Sequence, residues 1–213
     1  MDALPSPTVL IGFTLASALL AITPGPDMAF FLGRTARGGK RLGFVALAGA
    51  LTGLMFHALL AALGLSALLA ASSTAFEALK VVGCAYLIWL GLQAIRRGSA
   101  FATAEDRNPS GGALGAYFGG LAINLFNPKI VMFFLTFLPQ FVNHADPHAP
   151  LKMFALGLDF IATGAVVCTI VILSADRFLG ALRGSRRLMR VFDYGFASLM
   201  GLFAGKLLLS VNR

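Results

Sequence analysis

Six long apolar stretches constrain the fold of this 213-residue chain more than any other feature of its sequence. A helix needs about 20 mostly apolar residues to cross the hydrocarbon of a bilayer, and each stretch is about that long or longer. The stretches cover residues 8–32, 42–71, 76–95, 113–138, 153–175 and 191–209. This pattern predicts an all-α integral membrane protein with six transmembrane helices.

The composition excludes most soluble classes of protein. Hydrophobic residues make up 58% of the chain and charged residues only 12%, with a mean hydropathy of +0.83. Globular proteins use about a quarter of their residues as charged ones, so a water-soluble enzyme, a disordered chain and a nucleic-acid binder are excluded. The loops are too short to fold by themselves, and residues 1–213 are therefore expected to form a single membrane domain.

The basic residues predict the orientation of the chain. The net charge is +8, and twelve of the basic residues fall in the first, third and fifth loops. The opposite side has only Lys152 and Arg213. The positive-inside rule therefore places the odd-numbered loops in the cytoplasm and both termini outside. No lysine or arginine precedes the first stretch, so it is expected to be a retained helix and not a cleaved secretory signal.

The two halves of the chain repeat each other. A shift of 104 residues superposes the first stretch on the fourth, and a shift of 112 superposes the third on the sixth. The first shift matches Pro24 with Pro128, Met28 with Met132 and Phe30 with Phe134. The predicted repeats cover about 8–98 and 112–211. Three helices per repeat reverse the direction of the second copy, which is the inverted topology of many secondary transporters.

Both repeats contain a break in their first helix. Pro24, Gly25 and Pro26 interrupt the first stretch, and Pro128 interrupts the fourth at the matching place. Proline removes a backbone donor and clashes with the preceding turn, so about one turn should unwind. Backbone groups freed at membrane depth must line a cavity or be buried in protein. A simple proline kink is the alternative for either break, but an ionisable residue beside each of them favours a functional site.

Three charged residues lie deep inside the stretches. Asp27 follows the first break, where it either caps a helix that restarts at Met28 or faces a pathway and binds an ammonium group or a proton. Lys129 follows the second break and suits a carboxylate ligand. A lysine that snorkels to the interface and an internal ion pair are the alternatives. Asp159 is estimated to lie at nearly the depth of Lys129 and is its candidate partner.

Several polar residues complete the candidate site. His57, in the middle of the second stretch, is either a proton relay or a neutral imidazole bonded to a neighbouring helix. Asn124 and Asn127 are expected to satisfy unwound backbone or to contact a substrate. Thr23 and Tyr86 are further candidates for the same roles.

Other features are expected to be structural. Cys84 and Cys168 should be small packing residues. The outer loop 144–148 has the sequence His-Ala-Asp-Pro-His, which contains metal-ligand types but is expected to be a solvated loop. No metal site, cofactor or catalytic triad is predicted. Closely spaced glycines should let helices of the same chain approach each other, with a homodimer face as the alternative; they are Gly49, Gly53, Gly111, Gly115, Gly119, Gly201 and Gly205.

These motifs resemble those of the lysine exporter (LysE/RhtB) superfamily of bacterial amino-acid exporters. The matching residues are Thr23-Pro24-Gly25-Pro26-Asp27; Gly33-Arg34-Thr35 with Gly38, Gly43, Gly49, Gly53, His57 and Gly64-Leu65; Leu79-Lys80 with Gly83, Tyr86-Leu87 and Leu90-Gly91; and Asn124, Asn127-Pro128-Lys129, Phe133-Phe134 and Leu138-Pro139-Gln140-Phe141. The resemblance covers the whole chain in order, although the fifth and sixth stretches carry few of these motifs.

The resemblance implies a six-helix secondary exporter in the bacterial inner membrane, driven by the proton or another ion gradient. Its substrates would be amino acids or close derivatives of the threonine, homoserine and homoserine lactone type. Its partners would be this small molecule, a coupling proton or ion and the lipid bilayer, with no cofactor and no nucleic acid. Two alternatives stay open on the residues alone: an intramembrane hydrolase or transferase that uses Asp27 and His57, and a passive channel or membrane scaffold.

Overall fold

The computed structural model describes residues 3–23, 25–65, 112–143 and 146–175, together with scattered residues between 78 and 96 and between 177 and 205. All regular structure in these residues is helical, as the sequence predicts. The predicted stretches 76–95 and 191–209 are therefore only partly covered. Pro24 and Tyr86, two residues of the predicted site, lie outside the described residues.

Helix α1 covers Pro7–Ile22 and ends at the first predicted break. Ser6 caps its start by accepting a hydrogen bond from the backbone nitrogen of Val9 (3.4 Å). The helix ends because Thr23 precedes a proline and is extended, with a ψ of 122°. Helix α2 begins at Pro26, so the chain leaves helical geometry where the sequence predicts it.

Helix α2, Pro26–Leu60, folds back on itself at Gly39. Gly39 has a φ of 75° and a ψ of 171°, a conformation that glycine alone adopts without strain. A side chain at Gly43 would overlap the hydroxyl of Thr35, although residues eight apart in a straight helix are separated by about 12 Å. The two arms of α2 therefore run back along each other, and the first predicted loop is a tight turn. The chain continues into a π-helical turn, Ala61–Leu65.

Helix α3, Gly112–Leu125, and the short helix α4, Pro128–Met132, meet at the second predicted break. Asn127 caps α4 by accepting a hydrogen bond from the backbone nitrogen of Lys129 (3.0 Å). The helix axis bends by 46° across this break. After α4 the chain forms a π-helical turn, Phe133–Phe137, and a 3-10 turn, Leu138–Phe141.

Helix α5, Ala149–Leu173, is long and apolar enough to cross a membrane. By the same measure of length and hydropathy Pro26–Gly64 also qualifies, although the turn at Gly39 divides it into two arms. The segment 112–141 qualifies when its two bent parts form one span. Helix α1 is shorter, but Ile11, Leu15 and Leu19 form a stripe along it and are each more than half exposed. An apolar stripe of this kind suits contact with lipid better than contact with water.

Glycines allow α2 and α3 to pack backbone against backbone. A side chain at Gly49 would overlap the carbonyl of Tyr117, and one at Gly120 would overlap the carbonyl of Ala46. Close approach through small residues is how helices associate in a membrane, because lipid provides no hydrophobic force between them. Gly49 thus packs within the chain, as its spacing predicts.

The buried core contains separate clusters. In the larger cluster the ring of Phe133 lies 5.7 Å from that of Phe13 on α1 and 4.3 Å from that of Phe160 on α5. A smaller cluster joins Phe31 of α2 with Ile172 of α5. Because α1, α4 and α5 all contribute to the larger cluster, it packs the helix before the first break against the helix after the second.

Asp146 organises the turn before α5. Its carboxylate accepts a hydrogen bond from the backbone nitrogen of His148 (2.9 Å) and pairs with the ammonium of Lys152 (2.5 Å). The hydrogen bond from Lys152, helped by that from His148, lowers the pKa of Asp146 below its ordinary value. Asp146 is buried, so the expectation of a wholly solvated outer loop is wrong at this residue. The reason is that its carboxylate fixes the start of a helix.

Replacing Gly49 by alanine should destabilise the protein. The added methyl group would overlap the carbonyl of Tyr117, and overpacking of this kind costs about 1–3 kcal/mol. Gly12 on α1 is the matched control because open space surrounds its missing Cβ, and Gly12→Ala should be neutral or slightly stabilising. The midpoints of thermal unfolding of the purified variants in detergent compare the two. Equal midpoints would contradict the packing of α2 against α3.

Asp146→Asn should destabilise the protein at neutral pH and have no effect in acid. A carboxyl group with a lowered folded-state pKa stabilises above its unfolded pKa of about 3.9 and loses that contribution as pH falls through the folded pKa. The difference in unfolding midpoint between wild type and Asp146→Asn, followed from about pH 7 to about pH 2, should therefore shrink to zero. Lys152→Met should weaken the same pH dependence. A difference that stays constant with pH would show that the carboxylate charge has no part.

Candidate functional site

The two helix breaks meet inside the described bundle. Lys129 on α4 extends its side chain to the end of α1, where its ammonium donates to the backbone carbonyls of Leu20 (3.4 Å) and Thr23 (3.2 Å). The ammonium also lies 2.9 Å from the position that a Cβ at Gly25 would take. A side chain at position 25 would therefore push the ammonium away from α1. Lys129 is buried and does not snorkel.

Asp27 lies in the first turn of α2 and binds the other half of the chain. Its carboxylate accepts hydrogen bonds from the side-chain amides of Asn124 (2.9 Å) and Asn127 (2.5 Å). Asn127 has two roles, because its amide oxygen caps α4 while its nitrogen binds Asp27. The helix begins at Pro26, so Asp27 is not the N-cap that the sequence suggests. As an acidic residue in the first turn it complements the helix dipole.

Asn124 connects Asp27 to His57. Its amide nitrogen must face Asp27 because a carboxylate only accepts hydrogen bonds. Its amide oxygen is buried without a partner among the described residues, 2.7 Å from where a Cβ of Gly53 would lie. The backbone carbonyl of Asn124 is 3.4 Å from Nε2 of His57, whose ring stacks on Phe134 at 5.6 Å. His57 is therefore a buried imidazole within hydrogen-bond distance of a neighbouring helix, which is the second of the two alternatives that the sequence offers.

A small cavity lies between the two breaks. Asp27, Asn124 and Lys129 form its polar lining, and Cys168 of α5 is among its otherwise mostly apolar walls. Asp27 and Lys129 both face this space without forming a direct ion pair in the described part of the chain. The cavity volume is about 40 Å³, which holds about one water molecule. This space is small compared with an amino acid.

Asp159 does not belong to this site. The hydroxyl of Thr14 on α1 lies 3.0 Å from both of its carboxylate oxygens, and the neighbouring Phe160 lines the cavity instead. The predicted ion pair between Lys129 and Asp159 is wrong. That prediction compared only depth along the helices, whereas successive side chains also turn by about 100° around the axis. Asp159 consequently projects from a different face of α5.

The remaining predicted residues act mainly through the backbone. The hydroxyl of Thr23 donates to the carbonyl of Leu19 (2.6 Å), and its own carbonyl accepts from Lys129. Pro26 and Pro128 are the first residues of α2 and α4. Proline suits this position because the first amide hydrogens of a helix have no partner within it.

Sequence reasoning missed three contributors. The carbonyl of Leu20 is a backbone group, so no side chain in the sequence marks it. Cys168 lies in an apolar stretch and resembles an ordinary packing residue. Arg34 was expected in a cytoplasmic loop, but it is buried and donates to the carbonyl of Gly115 (3.2 Å). Its guanidinium also lies 5.0 Å from the centre of the Phe30 ring. The basic tract at 34–41 pointed only to orientation, so this contact could not be found from it.

Comparisons with known proteins agree with the motifs. The family model described as LysE type translocator matches residues 18–211. The homoserine/homoserine lactone efflux protein of Salmonella typhimurium is 33% identical over 202 residues, which cover 94% of this chain and 96% of that protein. An uncharacterized membrane protein of Vibrio cholerae is 32% identical over 160 residues (75% of this chain, 77% of that protein), and one of Pseudomonas aeruginosa is 30% identical over 203 residues (92% of both). No solved structure matches significantly.

The family match includes every residue that lines the cavity. It confirms the resemblance drawn from the motifs and overturns the alternative of an intramembrane hydrolase or transferase, because the relatives are translocators and efflux proteins. Asp27 and His57, the residues of that alternative, both hydrogen-bond to Asn124. The chain belongs to the family of LysE type translocators and is a membrane transporter, not an enzyme.

Proposed function

We propose that this translocator is a secondary active exporter of amino acids or close derivatives of the threonine, homoserine and homoserine lactone type, coupled to a proton or other ion gradient. Family membership and similarity to an efflux protein for homoserine and its lactone support the export of such a molecule. The observation that carries the proposal is the cavity at the two helix breaks. It gathers a carboxylate, an amide and an ammonium within mostly apolar walls.

Asp27 is the group in this cavity that suits such a substrate. Homoserine and its lactone share an α-ammonium group, whereas the lactone has no free carboxylate, so a site that accepts both must hold the ammonium. The carboxylate of Asp27 binds two amide donors and has about four acceptor positions in all. The amide oxygen of Asn124, which has no partner among the described residues, offers a further acceptor. Charge-assisted hydrogen bonds of this kind are stronger than neutral ones.

Transport requires the cavity to change size. A space that holds about one water molecule must open before an amino acid enters it. In inverted-repeat transporters one half rocks against the other around broken helices near the midplane. We assign the two halves to residues 8–98 and 112–211, which the hydrogen bonds of Asp27 to Asn124 and Asn127 join. The charge of Asp27 strengthens this junction, because hydrogen bonds to a charged group are stronger than neutral ones.

We place six helices in the bacterial inner membrane, with the odd-numbered loops in the cytoplasm and both termini outside. This orientation is supported by the excess of lysine and arginine in those loops, twelve against two. It puts the turn at Asp146 on the outer side and the turn at Gly39 on the cytoplasmic side.

A reporter that is active only in the cytoplasm tests this orientation. Fused after Lys40, Asn108 or Arg187 it should be active, and fused after Ser72 or Asp146 it should be inactive, because the basic loops stay in the cytoplasm. A second reporter that is active only outside the cytoplasm should give the reverse pattern at the same five sites. If fusions after Arg187 and Asp146 reported the same side, the six-helix arrangement would be rejected.

Asp27→Asn should lower gradient-driven transport of homoserine at least about tenfold, because a hydrogen bond to a charged group contributes about 1.5–3 kcal/mol. The substitution keeps the size of the side chain and removes its charge. Uptake of labelled homoserine into energised inside-out vesicles measures the effect. Asp159→Asn is the matched control, since this carboxylate binds Thr14 and does not line the cavity, and it should retain transport. Normal transport by Asp27→Asn would leave Asp27 a structural role only.

A further inference from the structure

The end of α1 leaves backbone carbonyls without partners in their own helix, as every helix end does. Thr23 satisfies one of them, because its hydroxyl donates to the carbonyl of Leu19 at 2.6 Å. The carbonyls of Leu20 and of Thr23 itself accept hydrogen bonds from the ammonium of Lys129. Two oxygens of the first helix break therefore depend on a side chain from the second, 109 and 106 positions further along the chain.

These two carbonyl oxygens, with the space over Gly25 that the end of the Lys129 side chain fills, form what we call the α1 cradle. Two features make it a place for a positive charge. The carbonyl end of a helix carries the negative pole of its dipole. The carboxylate of Asp27 lines the adjoining cavity. The cradle is largely buried, since Lys129 is only 8% exposed and Gly25 and Thr23 are buried; taking an ammonium out of water costs free energy, which these contacts must offset.

Carbonyls of helix ends and unwound backbone are the groups by which transporters with broken helices hold inorganic coupling cations, and oxygen ligands are what hard cations require. In this chain the ammonium of Lys129 occupies the place that such a cation would take, next to the carbonyls of Leu20 and Thr23. We propose that Lys129 is a tethered cation, which fills a monovalent-cation site in the α1 cradle and stabilises the broken helix as a bound ion would. The cradle holds the end of Lys129 and not the exported substrate, so this inference goes beyond the proposed function, although Lys129 also lines the substrate cavity.

Glycine at position 25 is part of the cradle. The ammonium lies 2.9 Å from the position of its missing Cβ, and Cε of Lys129 lies 3.3 Å from it. A lysine end is flexible, so a methyl group at this position would not prevent folding. It would instead move the ammonium off the two carbonyls.

Chemical rescue tests the cradle directly. Lys129→Ala removes three methylene groups and the amine while it keeps Cβ, and n-propylammonium has the size and charge of the missing part. The variant should unfold at a temperature about 5 °C or more below wild type, and saturating n-propylammonium or Na⁺ should recover at least about half of that loss. Choline at equal ionic strength and neutral n-propanol should recover none of it. The measurement uses the full-length protein purified in detergent.

Lys40→Ala is the matched control, because Lys40 is an exposed lysine beside the turn at Gly39. Neither Lys40→Ala nor wild type should shift by more than about 1 °C with n-propylammonium or Na⁺. Rescue by both cations identifies a general monovalent site, and rescue by n-propylammonium alone identifies an ammonium site. Rescue by neither, or equal shifts in wild type, rejects the tethered cation.

Gly25→Ala gives a second test that does not depend on isolating Lys129→Ala. It should lower the unfolding midpoint in the native background, because the ammonium is displaced, and should lower it less when Lys129 is already alanine, where only the effect at the N-cap of α2 remains. Equal lowering in the two backgrounds rejects the cradle. A Gly25→Ala protein that unfolds like wild type rejects the cradle. Because all these measurements follow unfolding, a failure of homoserine transport with cation rescue intact would reject the export proposal and leave the cradle standing.

Discussion

Backbone groups that a helix break releases inside a membrane must find partners within the protein, because lipid offers none. This requirement organises the centre of the translocator. At the first break the partners are the hydroxyl of Thr23 and the ammonium of Lys129, and at the second the amide oxygen of Asn127 caps α4. Lys129, at the second break, donates a hydrogen bond to a backbone carbonyl at the first break. Asp27, at the first break, accepts a hydrogen bond from Asn127 at the second. Each break therefore depends on a residue at the other break for its hydrogen bonds.

The absence of side chains is as important as their presence at this junction. Gly25 leaves space for the ammonium of Lys129, and Gly53 lies directly against the amide of Asn124. Farther along, Gly49 and Gly120 bring α2 and α3 into backbone contact. Close approach places short polar side chains within hydrogen-bond reach of groups on other helices. In a largely apolar cavity such interactions are stronger than in water, so a few polar residues suffice to hold the two halves.

The sequence predicted which residues form the site better than it predicted which groups they bind. Asp27, Asn124, Asn127 and Lys129 stand out because polar residues are rare in apolar stretches, and the structure brings them together. Their partners depend on the rotation of each helix about its axis, which residue counting does not provide. For that reason Asp159 was wrongly paired with Lys129, although it binds Thr14.

The sequence by itself determined the all-helical fold, the membrane location and the positions of the two helix breaks. These features follow from apolar length and from proline, which act locally along the chain. Only the tertiary structure decided that Lys129 binds the carbonyls of Leu20 and Thr23, that Gly39 is a tight turn and that Arg34 is buried. Such contacts join residues far apart in the chain, and a backbone carbonyl is the same in every residue, so no pattern of side chains could reveal them.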